Sequence, residues 1–190
     1  RAGAAVERVV AGAAHQRVVA GGREQLVRAG MRVTVATRRE AKASAVQILP
    51  GVTVLEADVH DEAALARLLP GHDAVINLIG ILHESGRDGR GFQRAHVELM
   101  QTLIAACESA GVARLVQVSA LNAGAPQASS HYLRSKGEAE KLLHSESGRQ
   151  LHTTVLRPSV IFGRGDDFLN GNGEAGAAGG DDALHESLGR

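Results

Sequence analysis

The chain has 190 residues, enough for one domain with a sizeable core. Its 21 acidic and 21 basic residues cancel and no basic face stands out, so nucleic acid has no electrostatic claim on it. Apolar runs are short and interrupted, which argues against a membrane span. With three Phe, one Tyr and no Trp, the core must be built from Val, Leu, Ile and Ala. The single cysteine, Cys107, falls in an apolar helical stretch and reads as a small core residue rather than a nucleophile. It permits no internal disulfide and suits a reducing, cytoplasmic setting. The nine histidines lack ligand spacing, so no metal site is expected. No signal-peptide pattern is read at the start, and the first residue is Arg1, as expected of a fragment.

In chain order, "ERVVAG" (7–12) reads as a first strand, "RVTVAT" (32–37) as a second and "VTVLEA" (52–57) as a third. "DEAALARLL" (61–69) opens with acids that suit a helix N-terminus. "DAVINLIG" (73–80) is a fourth strand, and "FQRAHVELMQTLIAACESAG" (92–111) has apolar residues at helical spacing and stops at Gly111. "ARLVQVSA" (113–120) is a fifth strand, "HYLRSKGEAEKLLHSE" (131–146) a helix with a charged, exposed face, and "HTTVLRP" (152–158) a sixth strand. Near-continuous apolar strands alternating with helices imply an α/β doubly wound parallel sheet, the Rossmann fold of nucleotide-binding domains. Residues 1–170 are expected to form that NAD(P)-binding domain, with 1–25 atypical. From 171 to 190 the composition turns to Gly, Ala and acids, as in a flexible tail. The chain ends soon after the sixth strand, so a substrate region is expected to be truncated or absent.

Ligands of such sheets sit beyond the carboxyl ends of the strands. After the second strand come Arg38 and Arg39. They suit a ribose phosphate and favour NADP(H) over NAD(H), or else are two solvated arginines at a helix start. After the third, Asp58 is either a hydrogen-bond acceptor for the adenine amine, with Val59 against the ring, or a helix cap. Asp61 is the better placed cap. The fourth strand ends at Gly80, where backbone can approach a dinucleotide, and its Asn77 is expected to hold neighbouring strands. The fifth ends at Ser119, able to hydrogen-bond a substrate oxygen, and the sixth at Arg157 and Pro158. "RGD" at 164–166 reads as incidental. Tyr132 and Lys136 in "SHYLRSKGEAE" are four apart, on one helix face. An ammonium beside a phenol favours the phenolate and makes the pair a candidate acid/base.

Together "VQVSA", "ADVHD", "YLRSK" and "LRPSVIFGRGDDF" resemble the extended or atypical short-chain dehydrogenase/reductases, which include the NAD-dependent epimerase/dehydratases. "NLIGIL", "GFQRAHVEL", "VSAL", "YLRSKGEAE" and "LRPSVIFG" are most similar to one branch, the nucleotide-binding accessory subunit of respiratory complex I and its bacterial relatives. The resemblance spans about residues 26–169. It implies NAD(P)(H) on the Rossmann sheet, with Tyr132 passing a proton, Lys136 lowering its pKa and orienting the ribose, Ser119 polarising a substrate oxygen, and Pro158 near the cofactor. For the accessory branch it implies a structurally held nucleotide, a respiratory complex as partner, and a peripheral position at the inner face of a membrane. The alternative is an active NADP-dependent reductase or epimerase on a sugar nucleotide or small carbonyl compound.

Two departures stand out. Catalytic extended members carry their serine one or two residues later, where this chain has Ala120 and Leu121. The family also opens with Gly-x-x-Gly-x-x-Gly. Counting back from Gly30 places the first glycine at Gly12, with His15 and Val18 at the next two positions. Gly21 and Gly22 then fall inside the following helix. Side chains at 15 and 18 stand where pyrophosphate approaches, so impaired dinucleotide binding is expected. A frame-shifted reading at both ends would account for the atypical termini.

Overall fold

Six strands pair in one parallel sheet in the order β3-β2-β1-β4-β5-β6. They are β1 (Arg8–Gly12), β2 (Arg32–Thr37), β3 (Val52–Glu56), β4 (Ala74–Asn77), β5 (Arg114–Val118) and β6 (His152–Leu156). The computed structural model describes residues 8–12, 26, 29–38, 50–81, 83–84, 86, 88–128, 130–148 and 150–159. His15, Val18, Gly21, Gly22, Arg39 and the stretch 171–190, all subjects of expectations above, lie outside them. Val10 on β1 stands opposite Thr34 on β2 and Val75 on β4. From β1 the order runs outward to β3 on one side and to β6 on the other. That reversal is where a doubly wound sheet opens a crevice beyond its strand ends.

Alternation along the strands divides the core between the two faces of the sheet. Val33 and Val35 pack with Leu26, Val52, Val54 and Leu78. Val10, Ala36, Val75 and Leu115 pack with the helices on the opposite face. Those helices are α1 (Glu62–Leu68), α2 and α3 (His131–Glu146). α2 is one continuous helix in three parts: Arg90–Phe92, a π-helical Gln93–Glu98, and Leu99–Ala110. Leu65, Leu99, Met100, Leu115 and Leu143 are fully buried, each worth about 2–3 kcal/mol of apolar transfer.

The helix boundaries follow local chemistry. Asp61 caps α1 by accepting from the Ala63 N–H at 2.9 Å. Ser130 caps α3 through the Leu133 N–H at 3.2 Å. α2 ends at Gly111, whose φ of 69° is readily adopted without a Cβ, and its N–H returns to the carbonyls of Cys107 and Glu108. Cys107 is buried in the core; burial, then the Glu108 charge, pushes its thiol up to about 12, so it stays protonated and inert.

Two features differ from the sequence expectation. β4 stops at Asn77 rather than 80, because the Asn77 side chain takes over the bonding: its Oδ1 accepts from the Ile79 N–H at 3.1 Å and turns the chain. Its Nδ2 donates to Gln117 Oε1 on β5 at 2.7 Å, so it does hold neighbouring strands. α2 is not a regular α-helix; its π-helical turn buries Ala95, His96 and Val97 in succession. Three consecutive residues cannot all lie at the centre of one narrow α-helical face, and widening the turn lets His96 reach inward.

Gly137 on α3 allows the loop after β5 to cross the helix. A Cβ there would stand 2.2 Å from Gly124 Cα and 2.4 Å from its nitrogen, both backbone atoms. Gly137→Ala is therefore expected to cost about 3 kcal/mol by forcing helix and loop apart. Gly111→Ala, which meets no neighbour but keeps a positive φ, should cost about 1 kcal/mol. Urea unfolding of both variants checks the ranking.

Candidate functional site

The carboxyl ends of β4 and β5 face α3, and there the chain gathers Gly80, His96, Tyr132 and Lys136. Lys136 is 4% exposed. A buried ammonium needs acceptors, and Nζ finds them in the carbonyls of Val118 at 3.1 Å and Ile79 at 3.5 Å, one from each strand end. Burial lowers its pKa to about 8, with the Glu140 charge opposing. Gly80 lies directly beneath: a Cβ there would meet Lys136 Nζ at 3.2 Å and His96 Nε2 at 3.4 Å. A side chain there would fit only if the lysine end gave way by a few tenths of an ångström.

Tyr132 precedes Lys136 by one helical turn, and Nζ stands 6.0 Å from the ring centroid. The ring is half-buried and packs edge-on against His96 (centroids 5.6 Å) and Phe92 (6.1 Å). The expected phenolate is not favoured here. Burial raises the Tyr132 pKa above its ordinary value, and no charge offsets it. Lys136 directs its ammonium at two carbonyls, so the pair is a neutral phenol beside a hydrogen-bonded lysine.

Ser119 is placed elsewhere. It is 4% exposed, and its Oγ lies against the Glu140 carboxylate, helping to hold it ionised without completing a hydrogen bond of normal geometry. Glu140 sits one turn beyond Lys136, and Arg157 at the end of β6 clamps it through Nε at 3.0 Å to both oxygens and through Nη2. Burial would raise the Glu140 carboxyl, but the hydrogen bonds from Arg157, the nearby Ser119 hydroxyl and the Arg157 charge hold it below its ordinary value. Ser119 Oγ thus lies buried and unpartnered beside the Glu140–Arg157 pair that ties α3 to the end of β6.

The remaining candidates are spread along the strand ends. Gly12 closes β1 in register with Ala36. Arg38 is exposed just past β2. Asp58 is exposed, accepts from the His60 N–H at 3.1 Å, and lines an open cleft of about 370 Å³ with residues of β3 and α1. Val59 is buried in the core. The Pro158 carbonyl accepts from the Leu121 N–H at 2.9 Å and extends the β5–β6 pairing. Among the described residues no group of three or more His, Cys, Asp or Glu is placed to hold a metal ion, and no helix is long and apolar enough to cross a membrane.

His96 and Ser135 escaped the sequence reading. His96 is 1% exposed; its Nδ1 contacts Ser135 Oγ at 2.8 Å and its Nε2 contacts the Ile81 N–H at 3.4 Å. Burial, then the Lys136 charge, lowers its pKa to about 3. The one signal in the sequence was a histidine on the apolar stripe of a helix, which usually marks only a satisfied core residue.

Comparison with known proteins bears on the family and the fold. Residues 21–179 match a family described as NAD(P)H-binding, so the match begins beyond Gly12, His15 and Val18. The mouse (Mus musculus) protein named NADH dehydrogenase (ubiquinone) 1 alpha subcomplex subunit 9, mitochondrial, is 37% identical over 119 residues, covering 63% of this chain and 30% of the mouse protein. Its Dictyostelium discoideum namesake is 32% identical, covering 65% of this chain and 32% of its own length. The matched part thus spans about a third of these curated relatives. Among solved structures, the UDP-Glc/GlcNAc 4-epimerase of Campylobacter jejuni superposes with a TM-score of 0.68 at 16% identity, over 80% of this chain and 53% of that one. The UDP-glucuronic acid 4-epimerase of Bacillus cereus, solved with NAD, gives 0.67 at 17%, over 80% and 56%. At such identities the likeness establishes the fold.

The buried ammonium has a measurable consequence. Folding lowers the Lys136 pKa from 10.5 to about 8, so between those values the unfolded chain binds more protons and stability rises with pH. The expected gain is about 3 kcal/mol. Urea unfolding of the native chain and of Lys136→Met from pH 7.5 to 11 should show their stability difference changing by about that amount in favour of the native chain. A pH-independent difference would contradict the burial.

Proposed function

The chain belongs to the NAD(P)H-binding family, and from that membership we propose that it is the nucleotide-binding domain of a protein like the complex I accessory subunit, holding NAD(P)(H) structurally rather than turning over a substrate. The observation that carries this reading is the buried Lys136 ammonium over Gly80 at the ends of β4 and β5. This is a rigid polar floor at the crevice of a doubly wound sheet, with the phenol beside it kept neutral. The dinucleotide, when bound, supplies hydride chemistry; Gly80 offers it bare backbone, and Lys136 and Tyr132 offer donors to its ribose. Arg38 and Arg39, which follow β2 in the sequence, favour NADP(H) through the ribose phosphate. Asp58 remains the proposed adenine contact. The names of the relatives support a respiratory complex as the partner, and a peripheral position reached through that partner rather than a free cytoplasmic life.

A second reading, an active NADP-dependent reductase or epimerase, is favoured by one observation, the placement of Tyr132 one turn from Lys136. Against it stand the raised phenol pKa and the turn of Ser119 toward Glu140. It requires NADPH turnover with a carbonyl substrate that Tyr132→Phe abolishes while nucleotide binding survives.

The glycine loop supplies the main test. Calorimetric titration with NADPH should show weak binding by the chain as it stands and at least tenfold tighter binding after His15→Gly and Val18→Gly together. Equal affinities would mean that the loop has been misplaced. In the repaired chain, Arg38→Ala with Arg39→Ala should weaken NADPH far more than NADH. Equal losses for the two would reject the NADP preference.

A further inference from the structure

The His96 ring is held from both sides. The Ser135 hydroxyl has one proton, and the Tyr132 carbonyl, 2.9 Å away, can accept it. The Ile81 N–H, 3.4 Å from His96 Nε2, can only donate, so Nε2 accepts from it, the ring proton sits on Nδ1, and the Ser135 oxygen accepts across the 2.8 Å contact. The other tautomer would set Nε2–H against the Ile81 N–H. The two contacts thus fit the same neutral ring. Protonation would put a cation beside Lys136, the ammonium facing it from α3, and its other near neighbours are the uncharged rings of Phe92 and Tyr132. The π-helical turn of α2 is what carries this ring to the strand end.

The geometry points to His96, neutral and protonated on Nδ1, as the positioning residue of the dinucleotide site. It couples the Gly80–Ile81 backbone, where the ligand would lie, to the turn of α3 that carries Tyr132 and Lys136. His96 Nε2 and Lys136 Nζ both lie within 3.4 Å of the same point above Gly80, so the ring sets the wall against which the ammonium is seated. Without it, the end of β4 has no direct link to Ser135, and the phenol loses the ring that it packs against, while the ammonium keeps its bonds to Ile79 and Val118. The inference rests on the nucleotide-site reading above.

Three measurements test it. Long-range nitrogen–proton NMR of the His96 ring, assigned by loss of its signals in His96→Leu, should show the Nδ1–H tautomer unchanged from pH 5 to 8. An Nε2–H ring, or titration near pH 6.5, overturns the inference. Tyr132 is the only tyrosine in a chain without tryptophan, so phenolate absorbance reads it directly. Ser135→Ala, which cuts the link while keeping the Ile81 bond, should move that midpoint by half a pH unit or more. A midpoint unmoved while the melting temperature falls would leave His96 a core residue only and overturn the positioning role. In the glycine-repaired chain, Ser135→Ala should weaken NADPH about tenfold, and an unchanged affinity also overturns it. Absence of NADPH binding in every form sinks the nucleotide reading itself, whereas the ring tautomer and the phenol midpoint still judge whether His96 positions this pair.

Discussion

A lysine ammonium buried between the ends of two strands is the constraint around which the rest of this structure is arranged. β4 and β5 last pair at Asn77 and Gln117, and beyond that point the carbonyls of Ile79 and Val118 have left the ladder. Lys136 donates to both and thereby draws α3 down onto the strand ends. Nearby residues answer the same demand for space. Gly80 leaves room for the ammonium, and Gly137 lets the backbone after β5 cross the helix at Gly124. At successive turns of α3, Tyr132, Lys136 and Glu140 face the His96 ring, the β4 and β5 carbonyls, and Arg157 beyond β6.

These contacts are polar groups buried inside an otherwise aliphatic core, and their value is not mainly stability. Asn77 with Gln117 and His96 with Ser135 each exchange hydration for a partner, which nets about 1 kcal/mol for neutral pairs. What they supply is uniqueness. Each group is costly if unpaired, so the helices can dock on the strand ends in one arrangement only. A surface of fixed donors and bare backbone follows, and that is what a dinucleotide requires of its host.

The same packing weakens the case for proton transfer. A catalytic tyrosine needs a phenol whose ionised form is stabilised, yet the lysine that would do so directs its protons at two carbonyls, and burial works on the phenol in the opposite direction. A holding role makes no such demand. It asks only for rigidity, and the linked polar pairs provide it.

The amino-acid sequence by itself determined the alternation of strands and helices. Apolar periodicity, the start signal at Asp61 and the stop signal at Gly111 are local properties, so β2 over 32–37 and α3 over 131–146 were legible to the residue. The motif set also carried the family and the pairing of Tyr132 with Lys136, because residues four apart share a helix face whatever surrounds them. The tertiary structure alone decided what those residues touch. The π-helical turn in α2 has no local code; it arises because His96 must reach both Ile81 and Ser135, fifteen and thirty-nine residues away. Ser119 reads in the sequence as a site residue at its strand end, and only the packing shows its Oγ buried beside Glu140, which Arg157 holds from the end of β6. The sign of the Tyr132 shift depends on burial and on where one ammonium points, and both are set by packing between segments distant in the chain, which no local pattern encodes.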